Sequence, residues 1–177
     1  TVNFTGSGDF FLNFLATFNN RVGGVFEVQS DADFPNLFSS GYTFNNQGTF
    51  RKSVNAGTLT LLGSVSFNNS GTVEIQTGTL NLAGGGTHSG SFDVPAGTAL
   101  ILSGPHNAGA SSSITGAGHF TVSGGTANLA GLVNVSGNNT FSGVNSFIPD
   151  TIAITGNYIC TNNTLTIAGN NTVNFSG

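Results

Sequence analysis

The sequence predicts an all-β protein, a single-stranded parallel β-helix (β-solenoid) of about 8–9 coils of 19–26 residues. Three observations predict it. First, Phe44-Asn45-Asn46-Gln47-Gly48-Thr49-Phe50 returns 23 residues later as Phe67-Asn68-Asn69-Ser70-Gly71-Thr72-Val73. Second, each copy is followed by another recurring phrase, Gly57-Thr58-Leu59-Thr60-Leu61 and then Gly78-Thr79-Leu80-Asn81-Leu82. Third, short apolar-alternating runs separated by Gly, Asn and Ser fill the chain, as short strands joined by tight corners require. A β-sandwich would show hairpin signals and would not produce two phrases in fixed order. One domain over 1–177 is expected, with a loop insertion at 30–43 and turn-rich breaks near 104–110 and 148–151.

The elements follow in order. Thr1-Val2-Asn3-Phe4-Thr5-Gly6 alternates and closes on Gly, a strand phrase. Phe10 to Leu15 is short and Phe-rich and reads as a strand buried on both faces. Phe18-Asn19-Asn20 is a third copy of the Phe-Asn-Asn phrase and leads into Val25-Phe26-Glu27-Val28. Phe18 to Phe44 spans 26 residues, and Asp31 to Asn36, the least repetitive stretch nearby, is expected to protrude as a loop. From Phe44 the pattern runs cleanly to Leu102, through Phe92-Asp93-Val94 and Gly97-Thr98-Ala99-Leu100-Ile101-Leu102. After the Gly104–Gly109 break it resumes at Ile114 and continues past Leu132-Val133-Asn134-Val135 and Phe141 to the Pro149-Asp150 turn. Ile152-Ala153-Ile154, Tyr158-Ile159-Cys160, Leu165 to Ile167 and Thr172 to Phe175 are the last strand phrases.

Coils stacked about 4.8 Å apart pile like side chains in columns. Phe18, Phe44 and Phe67 are expected to form one aromatic ladder, and Leu59, Leu80 and Ala99 an aliphatic one. Asn19, Asn45 and Asn68 can pass an amide hydrogen bond along the stack, each donating to the coil above. Gly and Asn suit the corners because they tolerate positive φ. Thr1–Gly6 and Thr172–Gly177 are nearly the same phrase, 171 residues apart, and neither terminal region reads as a capping helix. Val2, Phe4, Val173 and Phe175 are therefore candidate assembly ends, for head-to-tail stacking with itself or with neighbouring repeats of a longer chain.

Composition narrows the class. Only 6% of residues are charged, and the net charge is −4. No apolar run approaches the ~18–20 residues of a membrane span. Sixteen Phe and many β-branched residues argue against disorder. Three basic residues, Arg21, Arg51 and Lys52, cannot build a nucleic-acid footprint. A surface made polar by Asn, Ser, Thr and Gly points to an extracellular or cell-surface location. Cys160 is the single cysteine, so no internal disulfide framework is expected, and an inert buried thiol suits its strand-like context. The absence of Met and a start at Thr1 suit a processed export product or a fragment of a longer protein.

The phrases at Phe44–Ser53, Phe67–Val73, Gly78–Gly86 and Ile114–Gly118 resemble the repeats of very large secreted bacterial β-helix proteins, the filamentous-haemagglutinin-type adhesins and autotransporter passenger regions. The resemblance covers residues 18–135 best. It implies an elongated, structural or adhesive extracellular protein, and no particular activity.

No catalytic set is expected, and no cofactor. Asp31 and Asp33 with Arg51-Lys52 form the best enzyme constellation for polysaccharide cleavage, and a solvated loop with a charged surface corner is the plainer reading. Glu74 and Asp93 could stack one coil apart as paired carboxylates, and outward strand positions are again the plainer reading. His88, His106 and His119 follow no metal spacing and read as loop or surface residues. Of seven Asn-x-Ser/Thr sequons, Asn138 and Asn162 lie in turns and are candidate glycosylation sites. The leading expectation is a structural rod, a fibre subunit or adhesin stalk. A carbohydrate-binding or carbohydrate-cleaving β-helix is the alternative, with Tyr42, Tyr158 and Phe34 as exposed aromatics. Ice binding needs unbroken Thr-x-Thr rows, which Asn81, Ile101 and Asn128 interrupt.

Overall fold

The computed structural model describes residues 1–12, 15–31, 33–34, 41–142, 150–154, 158–159, 165–168 and 171–175. It is a parallel β-solenoid of triangular coils. The first face stacks Val2–Thr5, Val25–Gln29, Thr49–Lys52, Thr72–Ile75, Ser91–Asp93, Ser113–Gly116, Leu132–Val135 and Tyr158–Ile159. The second stacks Thr17–Asn20, Tyr42–Asn46, Val65–Asn69, Gly86–His88, His106–Ala108, Ala127–Leu129, Asp150–Ile154 and Asn171–Phe175. The third stacks Thr58–Leu61, Thr79–Leu82, Ala99–Leu102, His119–Val122, Asn139–Ser142 and Leu165–Ala168. Each coil visits the second, first and third faces in that order, and every strand pair is parallel.

Among the described residues six turns carry a strand on all three faces, fewer than the 8–9 coils expected. The shortfall lies in the first 41 residues. Among the described residues there, the third face has a single bridge, Phe34 to Leu61, in place of a strand. Residues 10–12 of the expected Phe10–Leu15 strand are irregular, and 13–14 lie outside the described residues. Phe10 crosses the mouth of the coil and packs on rings from all three faces: Phe4, Phe18, Phe26 and Phe34, at centroid distances of 5.7, 5.8, 5.6 and 4.8 Å. Sequence reading missed this plug because Phe10 belongs to no repeat. Phe34 is likewise no part of a protruding loop; it is fully buried. The 104–110 break is a rung, since His106–Ala108 pairs with strands on both sides. Asp150 also lies in a strand, whereas Pro149 is outside the described residues.

Register follows the repeats. Phe18, Phe44 and Phe67 occupy one column, with successive centroids 4.8 and 5.4 Å apart and near-parallel rings. Phe26 and Phe50 stack on the neighbouring face at 5.8 Å. The two columns meet edge to face, as at Phe44–Phe50 (5.5 Å, 89°), the packing aromatic quadrupoles prefer. Leu59 and Leu80 continue into Leu100; Ala99 instead pairs with Thr79, because the shared phrase is offset by one residue there. A one-residue offset exchanges inside for outside. Corners tolerate no side chain where turns stack: a Cβ on Gly71 would lie 2.1 Å from the Gly48 carbonyl oxygen.

The two near-identical terminal phrases fall on different faces. Val2–Thr5 is in the first and Asn171–Phe175 in the second, so 171 residues is not a whole number of coils. The phrase alternates apolar and polar residues, and that alternation suits a strand on any face.

Candidate functional site

The most elaborate polar structure is built on the second face and its corner with the first. A Phe that points inward sends the next residue outward and the one after inward again. Asn19, Asn45 and Asn68 therefore face out, and Asn20, Asn46 and Asn69 face in. Both sets form ladders. Outside, Asn45 Nδ2 donates to Asn19 Oδ1 at 2.9 Å and Asn68 Nδ2 to Asn45 Oδ1 at 3.0 Å. Inside, Asn20 Nδ2 donates to Asn46 Oδ1 at 2.7 Å and Asn46 Nδ2 to Asn69 Oδ1 at 2.9 Å. The outer ladder thus donates toward the preceding coil and the inner one toward the following coil. Each inner amide also donates to a corner carbonyl, of Thr49, Thr72 or Ser91. The inner ladder is the one that seals the corner, and period-two alternation from Phe44 is the signal that could have found it.

Asn68 ends the outer ladder by accepting from the backbone N–H and hydroxyl of Thr87. Past this point the inner column continues as His88, in register with Asn69. His106 stands two residues aside in the phenylalanine column, opposite Gly86. Both histidines are 2% exposed, so they are core residues and not loop or surface ones. Their rings stack with centroids 5.2 Å apart, and Phe92 meets His88 edge-on.

The hydrogen bonds assign the tautomers. His106 Nε2 lies 2.9 Å from the Leu82 carbonyl oxygen, which can only accept, so Nε2 carries the proton. His106 Nδ1 must then accept, and His88 Nε2, 3.0 Å away, donates to it. His88 Nδ1 is left as a buried lone pair with no hydrogen-bond partner. Burial holds both rings neutral: it pushes His88 down to about 3, with His106 beside it adding to the effect, and His106 down to about 4, against the opposing Leu82 carbonyl. His119, by contrast, is exposed, and its Nδ1 accepts from the Asn138 backbone N–H.

The expected Asp31, Asp33, Arg51 and Lys52 constellation is divided between two sides of one strand. Lys52 alternates inward after Phe50 and is fully buried, not a surface corner. Its ammonium donates to Asp31 Oδ1 (2.9 Å), Asn55 O (2.9 Å) and Val54 O (3.3 Å), which satisfies all three protons. Asp33 Oδ1 accepts from the Thr60 backbone N–H. Arg51 faces out between Glu27 and Glu74, with N–O distances of 3.7 and 2.7 Å. Glu74 and Asp93 do sit one coil apart on that exposed column. Glu27 is held below the usual carboxylate range, first by the Ser53 hydroxyl, which donates to it at 2.6 Å. These are structural ties between coils.

Of the candidate exposed aromatics, Tyr42 and Phe34 are buried and Tyr158 is half-buried. The third-face outward row reads Thr60, Asn81, Ile101, Thr121 and Thr140, whereas Asn128 belongs to the second face. Asn138 is exposed, and Asn162 and Cys160 lie outside the described residues. Among the described residues no three His, Cys, Asp or Glu side chains converge on a metal-sized site. No described helix is long and apolar enough to cross a membrane, which leaves β-barrel spans untouched. A shallow groove of about 300 Å³ follows the corner, lined by Asn45, Gln47, Asn68, Ser70, Thr87 and Asn107. No family model, no curated protein and no solved structure matches the chain.

Proposed function

We propose that the chain is a structural element of the cell exterior, a stiff rod serving as a stalk segment of a surface adhesin or as the subunit of a head-to-tail fibre. It performs no enzymatic step in this reading. One observation carries it: Asn171–Phe175 on the second face and Val2–Thr5 on the first are successive in the winding order. A copy set end-on would continue the same order of faces. Val2 supports this, since it shares the inward column of Phe26 yet is 52% exposed. An apolar column left open at one end favours a further parallel coil. The likeness of the repeats to filamentous-haemagglutinin-type adhesins supports the same role.

The test is negative-stain imaging of the purified chain across a concentration series, beside Val2→Asp. Filaments that the variant abolishes are expected. Monodisperse short particles at every concentration would remove the fibre-subunit reading and leave the stalk. Glycan binding is a second reading, favoured by the amide-lined corner groove. A glycan array with Asn68→Ala and Asn107→Ala as controls decides it. Glycans on Asn138, read by mass spectrometry from the native source, would sharpen the exterior assignment.

A further inference from the structure

On the second face the regular pairing narrows at one seam, bracketed by backbone bonds from Phe67 N–H to the Gly85 carbonyl and from Ser89 N–H to the Asn69 carbonyl. Tyr42–Asn46 and Val65–Asn69 pair at five positions, but Val65–Asn69 and Gly86–His88 pair at only one, His88 to Asn69. At Gly86 the two backbones lie close enough to exclude any side chain: a Cβ there would lie 1.9 Å from the Phe67 carbonyl oxygen. The Thr87 N–H turns to the Asn68 side chain instead of to backbone. The His88–His106 pair stands directly behind this weakened ladder.

We propose that the His88–His106 pair is an acid-sensitive latch, and that protonation opens the second face at the seam between Val65–Asn69 and Gly86–His88. The chemistry follows from the hydrogen-bond chain. A proton arriving at His88 Nδ1 makes an N–H that faces no acceptor. A proton arriving at His106 Nδ1 meets the His88 Nε2–H head-on, unless His88 moves its own proton to Nδ1, which gives the same unpaired N–H. Either way one positive charge stands in the core beside Phe92, and the Leu82 carbonyl offsets only part of its desolvation. In the open state both rings reach water and bind protons normally.

Neighbouring ionisable groups do not interfere. In the strands packed round the pair the ionisable side chain is Asp93, which points outward on the first face and is exposed. His119, on the third face beyond, is also exposed. The direction is fixed by proton uptake. Both rings are neutral when closed and ordinary when open, so the open state binds more protons below pH 6.5. The latch is closed above pH 6.5 and loosens progressively as pH falls toward 4. Glu27, held below 4.5, acts only in the more acid range.

The test is hydrogen exchange on the full chain from pH 7.5 to 4.5, corrected for intrinsic rates, beside His88→Asn/His106→Leu. Asn restores the inner ladder residue and Leu fills the apolar column. In the wild type, protection of 86–88 and 106–108 is expected to fall at least tenfold while Tyr42–Asn46 keeps its own. The double variant should lose this pH dependence. Equal pH dependence in both proteins, or loss beginning at Tyr42–Asn46, overturns the proposal. Should the variant not fold, side-chain nitrogen spectra of the wild type decide. Two neutral rings protonated at Nε2 at pH 7.5, still neutral at pH 5.5, are expected. A His88 or His106 ring that titrates near 6.5 in the folded protein overturns it.

Discussion

From Tyr42 to Leu82 the coils repeat one solution, and from Gly86 to Phe141 they keep the winding while changing its filling. In the earlier region Phe44 and Phe67 fill the second-face column, and strands there are five residues long. In the later region that column holds Gly86, His106 and Ala127, and strands shorten to three residues. The lost volume reappears on other faces, as Phe92 on the first and Phe120 and Phe141 on the third. Each of these coils therefore retains a buried phenylalanine, whichever face supplies it. A solenoid must fill each cross-section to native density, and total volume matters more than which column carries it. Identity down a column is needed only where ring stacking and amide ladders exploit it.

Substitutions that ask the two regions the same question sharpen this contrast. The largest effect is expected at Phe44→Ala, which deletes a ring stacked on Phe18 and Phe67 and edge-on to Phe26 and Phe50. A loss of about 3–5 kcal/mol in urea unfolding is expected. In the same column Ala127→Gly should cost only about 1 kcal/mol. Equal losses would mean that volume is not traded between faces.

Next comes the Lys52 node. Asp31→Asn leaves a fully buried ammonium with carbonyl partners alone and is expected to cost about 3 kcal/mol. Lys52→Met removes the buried charge itself and should be close to neutral, with Asp31 free to face solvent. A Lys52→Met loss larger than that of Asp31→Asn would contradict the burial order seen here.

Smaller still is the contrast between the two ladders. Asn46→Ala breaks the inner ladder and strands the Asn69 side-chain amide oxygen, Oδ1, inside the corner, at a cost of about 2–3 kcal/mol in thermal or urea melts. Asn45→Ala breaks two bonds of the half-exposed outer ladder, where water substitutes, and about 0.5–1 kcal/mol is expected.

Much of this architecture is legible in the residues because repetition is itself the structural signal. Phe44-Asn45-Asn46 over Phe67-Asn68-Asn69 pairs residue for residue, and Leu59 lies beside Leu80. Lys52 and the inner asparagines were also within reach, since both follow from alternation after Phe50 and Phe44. The histidine pair was hidden by substitution. Thr87-His88-Ser89-Gly90 stands where Asn68-Asn69-Ser70-Gly71 stood one coil earlier, and only the shared Ser-Gly reveals the register. Phe10 was out of reach, because a plug that crosses the coil mouth is made once and leaves no period.

The central claim is that successive coils lie in register along one axis. Spin labels on the outward second-face column measure it directly. Asn45, Asn107 and Asn128 share that column with Asn19. At about 4.8 Å per rung, Asn45 to Asn128 should measure roughly 19 Å and Asn19 to Asn128 roughly 24 Å. A separation that grows by one rung spacing per coil is the predicted result. Distances that do not rise with coil number would contradict the account.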